Sequence, residues 1–142
     1  MGFKRFATAW WKGDLKSGHG RISTPQSGLF TDQNFSFNTR FGDETGTNPE
    51  ELLAAAHSGC YSMALGFVLQ NAGFVATRID TRAEVSMETS PGPAATGVHL
   101  IVKAEVPGLD AEQFQGYADD AKRNCVISKT LAIPVTMEAS LL

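Results

Sequence analysis

A chain of 142 residues, 42% hydrophobic and 19% charged, has the size of one domain and the balance of an ordinary globular protein. Its net charge of −3 leaves no basic footprint for nucleic acid. The most apolar stretch is interrupted by His57, Ser58, Gly59, Ser62 and Gly66, so no unbroken apolar run reaches the ~20 residues of a membrane span.

The N-terminal stretch MGFKRFATAWWKGD lacks the long apolar centre of a signal peptide, and a cytoplasmic protein is expected. Residues 3–11 alternate loosely and are rich in aromatics, which predicts a strand. Gly13-Asp14 marks a turn, and residues 15–23 read as its hairpin partner. Phe35 and Phe37 alternate with Asn34, Ser36 and Asn38, the period of a strand ending near Arg40.

Residues 48–73, NPEELLAAAHSGCYSMALGFVLQNAG, predict one long helix. Asn48 suits the N-cap, Pro49 the first helical position and Gly73 the stop. Glu50 and Glu51 place negative charge at the positive end of the helix dipole, and Glu51 suits a capping box. Leu52 to Leu69 is apolar or small on all sides, the pattern of a buried helix. Residues 75–89 and 97–106 read as a long hairpin whose second strand carries Leu100, Val102 and Ala104 on one face. Asp110 caps a helix ending at Asn124, with Phe114, Tyr117, Ala118 and Ala121 on its apolar side. A short helical turn at 128–132 and a strand at 133–140 complete the chain. This order predicts a single α+β domain over 1–142, an antiparallel sheet packed on a long buried central helix. One sheet covers one side of that helix, and a homodimer pairing two such helices is the simplest cover for the rest.

Two cysteines lie 65 positions apart, Cys60 inside the core helix and Cys125 at the end of the following one. The separation fits neither a CxxC motif nor common zinc spacing, which leaves a redox or catalytic pair or two buried thiols. His57 lies one turn before Cys60, where a Cys–His nucleophile pair or a hydrogen-bonded core histidine would fit.

The motifs FNTRF (37–41), GTNPEELLAAAHSGCYSMAL (46–65) and CVIS (125–128) resemble the osmotically inducible protein C (OsmC) family, in its osmotically inducible rather than its organic hydroperoxide resistance branch. The likeness also takes in WWKGDLKSGHG near the start and VPGLD before the second helix. It implies an intertwined homodimer with two interfacial sites and a thiol peroxidase that needs no cofactor or metal, only a hydroperoxide and a dithiol reductant. Residue by residue, Cys60 matches the peroxide-reacting thiol and Cys125 the resolving thiol. Arg40 matches the arginine that orients and activates the first thiol, and Glu50 the glutamate that holds that arginine. One departure is Val126, where the family usually has proline after the second cysteine.

The physical case agrees. A buried thiol without a nearby cation stays protonated and inert. Ten residues separate Glu50 from Cys60, about 15 Å along the helix and about 80° round it. One arginine bridging both in a single chain is disfavoured, and the expected arrangement brings Arg40 and Glu50 of one subunit to Cys60 of the other. An apolar lining around Cys60, with Phe35, Phe37, Tyr61 and Met63 as candidate wall residues, would suit organic hydroperoxides better than hydrogen peroxide. Two rival readings use the same residues: a thiol redox sensor, and a module that binds an apolar ligand without turnover.

Overall fold

The computed structural model describes residues 1–142. Contacts group them into two compact units, Met1–Leu52 and Leu53–Leu142.

The first unit holds three short strands, β1 (Thr8–Lys12), β2 (His19–Ser23) and β3 (Gln33–Phe35), in an antiparallel sheet of that order. The β1–β2 turn forms because Gly13 takes a positive φ of 90°, and Asp14 Oδ1 accepts the amides of Lys16 and Ser17 at 3.0 and 2.9 Å. The strand predicted to run on through Phe37 stops at Phe35. Ser36 caps a short helix instead, α1 (Phe37–Phe41): its hydroxyl accepts the Thr39 amide at 3.1 Å, and the Thr39 hydroxyl accepts the Ser36 amide at 2.8 Å. This reciprocal cap outweighs the two-residue alternation, and it sets Arg40 in the last turn of a helix.

The helix α2 spans Pro49–Asn71, and the boundary between the units falls in its first turn. Asn48 Oδ1 accepts the Glu51 amide at 2.8 Å, the expected N-cap. The Glu51 carboxylate accepts from the Thr47 hydroxyl at 3.1 Å rather than closing a capping box. Gly73 ends the helix at φ +88°, with the Phe74 amide returning to the Leu69 carbonyl at 2.9 Å. With 23 residues, α2 is by length and composition apolar enough to cross a bilayer, more than its interrupted sequence suggested. Within one chain only part of the helix surface is covered. His57, Tyr61, Leu65 and Leu69 are buried, whereas Met63 and Phe67 on another face are 79% and 65% exposed.

The second unit also contains β4 (Arg78–Glu88), β5 (Ala94–Glu105), α3 (Ala111–Asn124), α4 (Val126–Thr130) and β6 (Val135–Leu141). Its sheet runs β4-β5-β6, with β4 antiparallel and β6 parallel to the central β5. The all-antiparallel expectation is therefore replaced by a mixed sheet. The cause is topological: two helices separate β5 from β6, so the chain crosses over and returns in the same direction. Val98, Leu100, Val102 and Ala104 of β5 form the floor of a core. Phe114, Ala118 and Ala121 of α3, together with Tyr61, Leu65 and Leu69 of α2, complete it. Asp110 caps α3 as expected, its carboxylate accepting the Gln113 amide at 2.8 Å.

Candidate functional site

The candidate residues fall into two clusters, one in each unit. In the first unit, Glu50 in the opening turn of α2 receives Arg40 side-on. Arg40 Nη2 lies 2.6 Å from Oε1, and Nε lies 3.1 Å from each carboxylate oxygen. The carboxylate pushes the guanidinium pKa further up, so the charge is fixed. This pairing occupies two of the five guanidinium N–H groups and leaves three for another acceptor. Arg40 is 35% exposed and lies 5.0 Å over the Phe41 ring. It opens on a mostly apolar cavity of about 270 Å³ lined by Trp11, Phe35, Phe37, Phe41 and Pro49 among others. Phe35 and Phe37, expected in a wall around Cys60, line this cavity beside Arg40 instead. Trp11 and Phe41 were not identified from the sequence, although the aromatic residues flanking Arg40 in the motif were the available signal.

In the second unit, α2 carries Cys60 part-buried against the core, and Cys125 stands fully buried between α3 and α4. Both thiols are free, and Cys125 is among the groups that push the Cys60 thiol pKa up. Cys125 is where α3 ends, its amide donating to the Ala121 carbonyl at 2.8 Å, and its extended backbone (φ −54°, ψ 126°) starts α4. The first amides of a helix have no carbonyl partner within it. Those of Ile127 and Val126 act on the Cys60 thiol and lower its pKa. Burial pushes the Cys60 thiol up, the Ile127 amide pulls it down, Cys125 pushes it up again and the Val126 amide lowers it. The sum is upward, and no full positive charge is among these groups.

His57 is fully buried, and its Nε2 lies 2.7 Å from the Ser128 hydroxyl. Its partner is thus the α4 serine, as befits a core histidine, and Nδ1 has no partner. Ser128 and the two α4 amides were not identified from the sequence; the helix start immediately after Cys125 was the signal that could have found them.

The chain matches the family model described as OsmC-like protein over residues 42–140. It is 46% identical over 134 residues to the peroxiredoxin OsmC of Escherichia coli, covering 94% of this chain and 93% of that one. The chain belongs to the OsmC family. An OsmC-family fold agrees with the solved structures. The organic hydroperoxide resistance protein OhrB of Bacillus subtilis superposes with a TM-score of 0.70 at 26% identity, covering 96% of this chain and 98% of the other. An OsmC-like protein of Vibrio cholerae reaches 0.74 at 17% identity, over 97% and 99%. The α+β architecture is the one these OsmC-like structures share.

Two proposed wall residues are corrected. Tyr61 is wholly inside the core, its hydroxyl donating to the Ala118 carbonyl at 3.1 Å, and burial pushes its pKa up. Met63 faces outward on α2 and lines a separate open groove with Gly66, Phe67 and Phe74.

Proposed function

We propose that this protein is a cysteine peroxidase of stress defence, reducing organic hydroperoxides and, more weakly, hydrogen peroxide. The observation that carries this reading is the placement of Cys60 and Cys125 as free thiols at one core, with Cys125 and two α4 amides shifting the Cys60 thiol. Relatives named as a peroxiredoxin and as organic hydroperoxide resistance proteins support it.

The thiolate of Cys60 attacks one peroxide oxygen, the O–O bond breaks, and the departing alkoxide takes a proton and leaves as an alcohol. Cys60 is now a sulfenic acid. The Cys125 thiol condenses with it, releasing water and forming the Cys60–Cys125 disulfide. An external dithiol exchanges with that disulfide and restores both thiols; no cofactor or metal takes part. The first step needs an anion, yet within one chain burial outweighs the amides and keeps the thiol protonated. A guanidinium reverses this balance, and Arg40 has three N–H groups uncommitted. Glu50 and Cys60 are about 15 Å apart along one helix, so the Arg40 that Glu50 holds is best placed to serve Cys60 of a second subunit. The exposed Met63 and Phe67 on α2 suit such pairing in a homodimer. The aromatic cavity beside Arg40 would hold an alkyl or aryl tail with the peroxide near the charge.

The test is multi-turnover consumption of cumene hydroperoxide with dithiothreitol. A peroxidase consumes many equivalents and Cys60→Ser stops it with the fold intact. A sensor or binding module consumes no more than one equivalent, and either that result or an active Cys60→Ser variant would end the proposal.

A further inference from the structure

The histidine one turn before Cys60 spends its one hydrogen bond on the segment that carries the second thiol. His57 precedes Cys60 by three residues on α2, and Ser128 follows Cys125 by three on α4. The 2.7 Å contact between them therefore joins the two segments that carry the thiols, one helical turn away from each.

Packing alone does not explain the residue. The His57 side chain is fully buried with Nδ1 unpartnered. An unsatisfied buried polar atom destabilises the fold, and an apolar side chain of similar volume would fill the space without it. What a hydrocarbon could not do is hold Ser128. Lys129 returns its amide to the Cys125 carbonyl at 3.0 Å, so α4 is a single short turn, and the Ser128 hydroxyl gives it a polar anchor beside the core packing of Ile127.

Resting on the peroxidase reading, we propose that His57 and Ser128 are positioning residues that hold Cys125 within reach of the Cys60 sulfenic acid. They act on the fate of that intermediate, not on its formation. The sulfenic acid has two exits. Condensation with the Cys125 thiol gives the disulfide and water. Attack on a second hydroperoxide gives Cys60 sulfinic acid and an alcohol, an exit that inactivates the enzyme. A loosened α4 slows the first exit and leaves the second unchanged.

The experiment measures the ratio of sulfinic acid to disulfide at Cys60 by intact mass, after graded additions of cumene hydroperoxide to the reduced full-length protein without reductant. This ratio is independent of how fast the sulfenic acid forms. Ser128→Ala is expected to raise it about five- to tenfold, the worth of one hydrogen bond. Ser128→Thr, which keeps the hydroxyl, is expected to stay within about twofold of wild type on the same scale. His57→Gln can place an amide near the Nε2 position and should give an intermediate ratio; it serves as the reporter if the alanine variant does not fold. A wild-type ratio in Ser128→Ala, or a threonine variant no better than alanine, overturns the positioning role. A wild-type protein whose cysteines stay reduced under peroxide instead removes the peroxidase reading, and the positioning role with it.

Discussion

Proline at position 126 would remove an amide that favours the Cys60 thiolate and little else. The Val126 amide is one of two that lower the Cys60 thiol pKa, and proline has no amide hydrogen. The backbone accepts the change. Val126 is the first residue of α4, a position proline favours, and Cys125 before it is already extended at ψ 126°. The Val126 side chain is exposed, so little buried surface is lost and stability should stay within about 0.5 kcal/mol. A hydrogen bond to a charged group contributes about 1.5–3 kcal/mol. Val126 is the weaker of the two amides, so the low end applies. At about 1.4 kcal/mol per tenfold, the thiolate population on the rising limb of the pH–rate profile should fall roughly tenfold. The assay is alkylation of reduced protein by iodoacetamide across a pH series, with Cys60 and Cys125 read separately by peptide mass. The Cys60 profile of Val126→Pro is expected to move to higher pH. A profile that overlies wild type, or moves to lower pH, would show that the 126 amide does not stabilise the anion.

Three further outcomes rest on the same geometry. Arg40→Lys keeps a charge but loses the side-on grip on Glu50, and kcat/KM for cumene hydroperoxide should fall on the order of 100-fold, read in the coupled dithiol assay. Phe67→Arg puts a charge on the exposed apolar face of α2; sedimentation velocity should show a dimeric wild type and a monomeric variant, and a monomeric wild type would remove the basis for pairing. Burial lowers the His57 pKa, so below about pH 6.5 the unfolded chain takes up a proton that the folded chain resists. Stability should fall as pH drops through that value, by no more than about 1.4 kcal/mol per pH unit from this residue, and urea titrations of His57→Gln should lack that component.

The sequence carried the parts of this fold governed by local chemistry. Asn48, Gly73 and Asp110 sit where their capping roles require, because a cap is decided by a handful of neighbouring atoms. Alternation in β5 identified its buried face, since the sheet buries every second residue. The misread elements turn on longer-range competition. Phe35 and Phe37 have strand spacing, but Ser36 and Thr39 close a reciprocal cap between them. The direction of β6 depends on a crossover that periodicity cannot register. In the site, Cys60, Cys125, Arg40 and Glu50 came from a motif. The α4 amides have no side-chain signature, and Ser128 became visible only when α4 was seen to bring it to His57.

The proposed dimer is open to one decisive experiment. Arg40→Lys and Cys60→Ser should each be inactive or nearly so as purified homodimers. If every site combines Arg40 of one subunit with Cys60 of the other, a mixed dimer regains one complete site: the serine variant lends its arginine to the intact thiol of its partner. Unfolding and refolding the two variants together in equal amounts makes about half the dimers mixed, each with one working site of two, so about a quarter of wild-type activity should return. Sites assembled within single chains would regain nothing, because no subunit in the mixture carries both residues. Activity that stays at the level of the separate variants, with subunit exchange verified by native mass spectrometry, would place the activating charge elsewhere. Recovery would mean that the thiol of a lone chain is held inactive by its own burial and gains reactivity only on assembly.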